Sequence, residues 1–441
     1  MIFECIVKLS RGNVKMNPSV FCREKDTWWA SAAGPEKDDF RRAFYMSNQK
    51  ENKKPGYGVE TFVFLIVLIG SLCILGNIMG VGPMFKTIMQ TAYHLLLETV
   101  LYIVSVCCIM GAVGTLMSEF GVVALAEKVL SPLMRPLFGL PGAASLGVVT
   151  TFLSDNPAAV ALAEDTKTAP YFKKYQVPAL CNLGTTFGMG IIVTAFMIGL
   201  GSEYVPAVGV GLVATLAGGI VSTRLFLSMS KRHYIKEGTW KEMQQQAEPL
   251  MKESAPAAKA EAEEVKEKKS VFARAMDAML EGGKLGWQIG FATTPGVLCI
   301  CTLIMILTFG PGSVDGVAAY TGAAYEGVAV LPKLGNLIAP VTNLLFGFKD
   351  GAAIAFPITA LGAVGAAMGM TPALIESGAV GPNEIAVYTA IGVTWSGYLS
   401  THISIMDALH ARKLIPQALI SHTIAGIAAG VFAHYLFMVV G

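Results

Sequence analysis

Long uncharged apolar stretches set the first limit on this fold. From about residue 60 to the C-terminus the chain runs in apolar segments, and its charges collect in two places, residues 1–59 and 231–284. An apolar stretch of ~20 residues is what an α-helix needs to cross the hydrocarbon of a bilayer. With no water there to satisfy the backbone, only helices or closed barrels can cross. Composition agrees: 53% of the 441 residues are apolar and 15% are charged, against roughly 25% charged in a soluble domain. The expected fold class is an all-α polytopic membrane protein, with the lipid bilayer as its first partner. A net charge of +2 gives no reason to expect nucleic acid.

Hydropathy places crossings at about 60–82, 97–120, 178–200, 205–228, 286–310, 385–407 and 415–440. Two further apolar stretches are broken. Residues 142–164 are interrupted by Ser154-Asp155-Asn156-Pro157, and residues 350–370 contain Pro357. Residues 124–138 are amphipathic and proline-interrupted, as expected of an interfacial segment. Lys and Arg concentrate on the cytoplasmic side of membrane proteins. With Lys50, Lys53 and Lys54 inside, Lys128, Arg135, Lys167, Lys173 and Lys174 also fall inside. Residues 142–164 then enter and leave by one face as a re-entrant hairpin. The whole chain reads as about seven transmembrane helices plus two re-entrant hairpins, with the N-terminus in and the C-terminus out.

The domain reading follows. Residues 1–45 show no helical or strand period and read as a non-native or disordered extension. Met46 is the expected start, which N-terminal sequencing of the native protein would test. Residues 46–59 form a cytoplasmic tail. Residues 60–230 hold a first membrane repeat with an extra leading helix. Residues 231–284, with 11 Lys/Arg and 10 Asp/Glu, form a charged cytoplasmic linker, and 285–441 a second repeat. The eight cysteines make no CxxC or Cys/His pattern, and no secretory signal is visible.

The repeat is read from self-comparison. Pro-Leu-Phe-Gly-Leu-Pro-Gly-Ala-Ala at 136–144 resembles Leu-Leu-Phe-Gly-Phe-Lys-Asp-Gly-Ala-Ala at 344–353. Asn-Leu-Gly-Thr-Thr-Phe-Gly at 182–188 matches Ala-Ile-Gly-Val-Thr-Trp-Ser at 390–396, and 214–220 matches 425–431. The offsets stay between 208 and 211. Each copy holds three crossings and one hairpin. An odd number inverts the second copy, so the halves form an inverted repeat, a recurrent plan of secondary transporters.

Membrane-depth chain breaks are tolerated only where they are buried in protein or line a wet cavity, so the breaks mark a candidate site. An Asn before Pro suits a helix start. A half-helix beginning near Pro157 would aim its partially positive end into the bilayer interior. Ser154, Asp155 and Asn156 are therefore candidates for holding a polar solute or an ion, because an ionisable residue at that depth is a functional candidate by default. Asn182, Thr185 and Thr186 lie on the following helix, and their mates include Thr394 and Trp395, with Ser396 next. Thr394, Thr401 and Ser404 fall roughly on one helical face. Hydroxyls on such a face can ligate a solute or sodium, although Ser and Thr also serve plain helix packing in membranes. His402 is a titratable neighbour. His422 and His434 read as structural, and Asn343, Lys349 and Asp350 as mouth residues of the second hairpin. No Walker loop, GxSxG, HExxH or dinucleotide fingerprint is present, so no enzyme, cofactor or resident metal is expected.

The run Phe-Leu-Ser-Asp-Asn-Pro-Ala-Ala-Val-Ala-Leu-Ala-Glu-Asp at 152–165, followed by Tyr-Phe-Lys-Lys-Tyr-Gln-Val-Pro-Ala-Leu-Cys-Asn-Leu-Gly-Thr-Thr-Phe-Gly-Met-Gly at 171–190, resembles the YjiH-type membrane proteins. These carry the nucleoside recognition, or Gate, domain. The second half is similar to the shorter YjiG partner, and the pair resembles spore maturation proteins A and B, over roughly residues 60–441. Through its relation to concentrative nucleoside transporters, the resemblance implies a transporter or gated pore of the bacterial inner membrane. The expected function is secondary transport of a small polar solute, a nucleoside among the options, coupled to Na+ or H+, with homo-oligomerisation open. The other readings are a non-transporting protein of the spore-maturation type and a gated ion channel.

Overall fold

The computed structural model describes residues 58–154, 156–165, 168–250 and 270–441. The chain divides into two units, up to Gly70 and from Ser71 onward. In the first, the described part is the start of helix α1 (Val59–Met79), whose Phe62, Val63, Phe64 and Ile66 are exposed. The expected extension at 1–45 and most of the tail at 46–59 lie outside the described residues. The protein is a mostly helical, multi-pass membrane protein.

After the end of α1, the second unit continues with a helix longer than any expected from hydropathy. Helix α2 (Val81–Glu119) has 39 residues, so at 1.5 Å per residue it spans about 58 Å, nearly twice a bilayer's ~30 Å of hydrocarbon. The expected crossing at 97–120 is only its second part. Lys86, Gln90 and His94 lower the hydropathy of 83–96 without breaking the helix. A π-turn at Leu95–Val100 absorbs the extra residue. Helix α3 (Val122–Leu133) widens into a π-turn at Met134–Phe138 and stops at Gly139, whose φ of +74° suits glycine.

The first hairpin follows. Helix α4 (Ala144–Leu153) ends at the predicted break, and the return arm is a 3-10 turn (Asn156–Ala159) with a short helix α5 (Ala161–Glu164). The half-helix expected from Pro157 is absent. Its place is taken by turns too short to sum an appreciable dipole. Asp155 and Lys167 lie outside the described residues.

Next come helices α6 (Ala179–Phe187) and α7 (Gly190–Gly199), a single apolar segment broken at Gly188-Met189, then α8 (Val205–Lys236) and the short α9 (Trp240–Met243). The stretch after α9 does not begin a free linker. Ala247 and Leu250 donate backbone hydrogen bonds to Phe172 O (2.8 Å) and Ala163 O (3.0 Å), and Lys174 donates to Gln245 O (2.9 Å). These bonds clip residues 245–250 to the exit of the first hairpin.

The second half starts earlier than its hydropathy suggests. Helix α10 (Val271–Thr308) has 38 residues and begins inside the segment read as linker. Ser270 supplies the reason: its side chain accepts from Ala273 N and caps the helix. A π-turn at Gly296–Cys301 interrupts α10. A small antiparallel hairpin, β1 (Gly312–Val314) with β2 (Val317–Ala319), is a local departure from the all-helical expectation. Helices α11 (Val330–Leu337) and α12 (Ala339–Phe346) lead to the second hairpin. This comprises a 3-10 turn (Gly351–Ile354), α13 (Ala355–Ala360) and α14 (Val364–Glu376). The break falls at 361–363, not at Pro357, which sits harmlessly in the first turn of α13.

Six helices among the described residues are long and apolar enough to cross a membrane. The seventh expected crossing, 385–407, is instead two helices, α15 (Pro382–Thr394) and α16 (Leu399–Ala408), broken at 395–398. Helix α17 (Ile415–Val440) closes the chain.

The order of elements is the same in both halves: a long π-bulged helix, short helices, a hairpin, a broken helix and a final long helix. One tether recurs with it. Arg224 on α8 donates to Leu137 O (2.8 Å) and to Pro136 O, and Tyr435 on α17 donates to Leu344 O (2.8 Å). In the sequence match Pro136 and Leu344 are mates, so each half satisfies the same orphaned carbonyl at the end of its short helix.

The loop before α11 carries a buried carboxylate. Glu326 is 4% exposed and accepts from Thr321 N (3.0 Å), Thr321 Oγ1 (2.6 Å) and Gly322 N (2.9 Å). Burial alone would raise its pKa, but these donors outweigh burial and hold it below the usual carboxylate range. A carboxylate lowered in this way stabilises the fold above its unfolded pKa and loses that contribution as pH falls through the folded value. Protection of the Thr321 and Gly322 amides from hydrogen exchange should therefore fall as the medium is acidified past the carboxylate range. Glu326→Gln should remove that pH dependence and lower stability at neutral pH by about 1.5–3 kcal/mol. An unchanged acid profile in that variant would contradict the assignment.

Candidate functional site

The two broken helices meet. After Phe187, Gly188 is extended and Met189 is left-handed (φ +55°) before α7 resumes. A left-handed methionine is an uncommon, strained backbone state that surrounding packing must hold. The break orphans carbonyls at the end of α6. Ser396, within the break of α15–α16, donates its hydroxyl to Thr185 O at 3.0 Å. One interruption thus satisfies the other.

Around this junction lies a polar cluster with no solvent exposure. Asn182 donates through Nδ2 to Ser222 Oγ (3.0 Å), Ser421 Oγ (2.9 Å) and Ala418 O (3.3 Å). Ser222 Oγ is 2.8 Å from His422 Nδ1. Trp395 donates its indole N–H to His422 O (2.9 Å) and stacks on Tyr398. Asn182, Thr185, Thr186, Ser222, Thr394, His402, Ser421 and His422 are all at 0% exposure. Three buried atoms of this group have no protein partner: Asn182 Oδ1, Thr394 Oγ1 and His422 Nε2. Buried polar groups are normally paired, and each one left bare carries a desolvation penalty. A polar guest is what such a cluster lacks.

The structure therefore brings together Asn182, Thr185, Thr186, Thr394, Trp395 and Ser396. The hydroxyls of Thr185 and Thr186 donate to Cys181 O (2.8 Å) and Asn182 O (2.7 Å), so only their lone pairs are free for a guest. Thr401 does not join. It is half-buried on α16, and the shared face expected for Thr394, Thr401 and Ser404 is lost because the helix between them is broken. Ser154 caps α4 through a bond to Thr150 O (2.6 Å). Asn156 opens the 3-10 turn, and Asp155 lies outside the described residues. Asn343 and Asp350 serve the turn into the second hairpin, Asn343 donating to Phe348 O and Asp350 accepting from Ala352 N. Sequence reasoning missed Ser222, Ser421 and Tyr398 and set His422 aside. The available signal was Ser421-His422-Thr423, a polar triplet within an apolar span.

A crevice of about 160 Å³ lies beside the first hairpin, lined by Thr150, Leu153 and Ser154 together with Gly114 and Thr115 of α2 and Gly286 of α10. Thr115 and Ser118 also line a wider space of about 410 Å³ with Glu119, Asp277, Glu281 and Arg274, where Arg274 Nε is 2.8 Å from Glu119 Oε1. Sites for drug-sized ligands run from ~300 Å³ upward, so the crevice as it stands admits only a smaller guest.

No family model matches the sequence. An uncharacterized protein of Alkalihalophilus pseudofirmus is 24% identical over 302 residues, which are 67% of this chain and 62% of that protein. The chain thus spans less than two thirds of that relative's length. Among solved structures, the transporter CNTnw in an outward-facing state is 15% identical, covering 86% of this chain and 88% of that one, at a TM-score of 0.45. The same transporter in an intermediate state is 14% identical, covering 91% and 87%, at a TM-score of 0.47. At those scores the likeness assigns no residue of this chain a role.

Proposed function

We propose that this protein is a secondary transporter of a small polar solute, of nucleoside size, in a bacterial inner membrane. The observation that carries the reading is the meeting of two broken helices in a fully buried polar cluster with unpartnered atoms. Interrupted helices at membrane depth are a costly arrangement that recurs where transporters bind solute and ion. The matching order of elements in the two halves supports an inverted repeat, in which one half rocks against the other. Asn182, Thr394 and Trp395 would hold the solute or coupling ion, with Ser154, Asp155 and Asn156 as the first hairpin's contribution to the site. Three carboxylates against one guanidinium in the adjoining space favour a neutral or cationic solute over a phosphorylated one. The sequence resemblance to YjiH-type proteins points the same way.

The test is uptake of a labelled panel of nucleosides, amino acids and amines into proteoliposomes. At least one neutral or cationic solute should accumulate in a protein-dependent way, and Asp155→Ala should lose that accumulation. Uptake of no member of the panel by folded protein would refute the proposal.

A further inference from the structure

We infer that His402 and His422 form a proton-binding site that holds the coupling proton of the transport cycle. The inference rests on the transporter reading above. The two rings are 4.6 Å apart between centroids, inclined at 52°, and both are at 0% exposure. His402 Nδ1 donates to Tyr398 O at 2.7 Å, so this ring carries its proton on Nδ1 and keeps a lone pair on Nε2, 3.5 Å from Thr185 Oγ1. His422 is tied through Nδ1 to Ser222, and its Nε2 has no partner. Tyr398 covers the pair, its ring 5.9 Å from each imidazole.

The packed elements present neutral groups: Cys181 and Thr185 from α6, Ser222 from α8, Thr394 and Trp395 from the broken helix, and Ser421 from α17. The titratable groups among these neighbours are Cys181, whose Sγ is 3.9 Å from His402 O, and Tyr398. Among the described residues neither ring makes an ion pair with a carboxylate. As mere packing this arrangement is poor, since two polar rings are buried and one nitrogen is left bare. With no counter-charge beside it a bound proton is held weakly, as a proton that must be released in every cycle has to be. A hydronium reaching His422 gives its proton to the ring nitrogen that carries the lone pair, leaves as water, and makes one imidazolium. Two charged rings at this distance repel, so occupancy stops at one proton, and release to water reverses the step. The charge acts directly on the break, because His402 bonds Tyr398 O and Trp395 bonds His422 O. Proton and solute binding at one deformable junction are then reciprocally linked.

The experiment uses the full chain, first in nanodiscs with nitrogen-labelled histidine followed by NMR as pH is lowered. The signals of His402 and His422 should titrate as a coupled pair, and His422→Gln should shift the titration of His402. In proteoliposomes, an inward proton gradient should drive uptake that falls about tenfold or more in His422→Gln. His410→Asn, an exposed site, should behave as wild type. Two rings that stay neutral wherever the protein remains folded would overturn the inference, as would gradient-driven uptake unchanged in both His402→Gln and His422→Gln. If wild type moves no solute at all, the transport reading fails, while the NMR titration still decides whether the pair binds a proton.

Discussion

Replacing Gly286 with valine should leave little folded protein. Helices α2 and α10 approach so closely that a Cβ on Gly286 would stand 2.0 Å from Cys107 O, and one on Gly111 would stand 2.3 Å from Gly282 O. These obstacles are backbone atoms, which cannot swing aside as a side-chain tip can. The helices would have to separate and lose their dispersion contact along the seam. Overpacking a relaxed core costs ~1–3 kcal/mol. Backbone against backbone belongs at or above the top of that range. Yield and thermal unfolding of detergent-solubilised protein measure the effect. Gly283→Ala is the control, because its Cβ would find only Cys108 O, at 3.9 Å, and wild-type stability is expected. A Gly286→Val protein as stable as that control would show that the seam is not as described.

Asn182→Ala is expected to reduce transport more than it reduces stability. Asn182 Nδ2 reaches three acceptors on two long helices, and its loss uncouples α6 from both α8 and α17. Ser421 keeps its bond to Ala418 O, and Ser222 keeps His422, so the fold retains part of the network. A buried hydrogen-bonding group removed in this way costs about 1–3 kcal/mol. Felt as coupling, that corresponds to roughly 5–150-fold in binding. Equal thermal shifts with unchanged uptake would assign Asn182 a structural role only.

The apolar spans and the break at Ser154 were legible because each is a local signal, a run of like residues or an Asn-Pro step. The full lengths of α2 and α10 were not, because Lys86, Gln90, His94 and Glu98 depress hydropathy while remaining good helix residues. The break at Gly188-Met189 contains no proline. It is held open by contacts from elsewhere: a Cβ on Gly190 would meet Phe152 of the first hairpin at 2.1 Å. The polar cluster was half legible. Asn182, Thr186 and Thr394 surfaced through the internal match, whereas Ser222 and Ser421 stand 40 and 239 positions from Asn182, and no local pattern links them. His422 was set aside because one histidine in an apolar helix has no partner in its own sequence neighbourhood.

Solute counterflow into proteoliposomes tests the central claim most directly, since it needs neither a gradient nor knowledge of the coupling ion. Wild-type protein preloaded with its solute should exchange labelled solute, and Asn182→Ala, assayed at a temperature where it stays folded, should exchange it at least about fivefold more slowly. Equal exchange by the two proteins would place the pathway elsewhere and contradict the account.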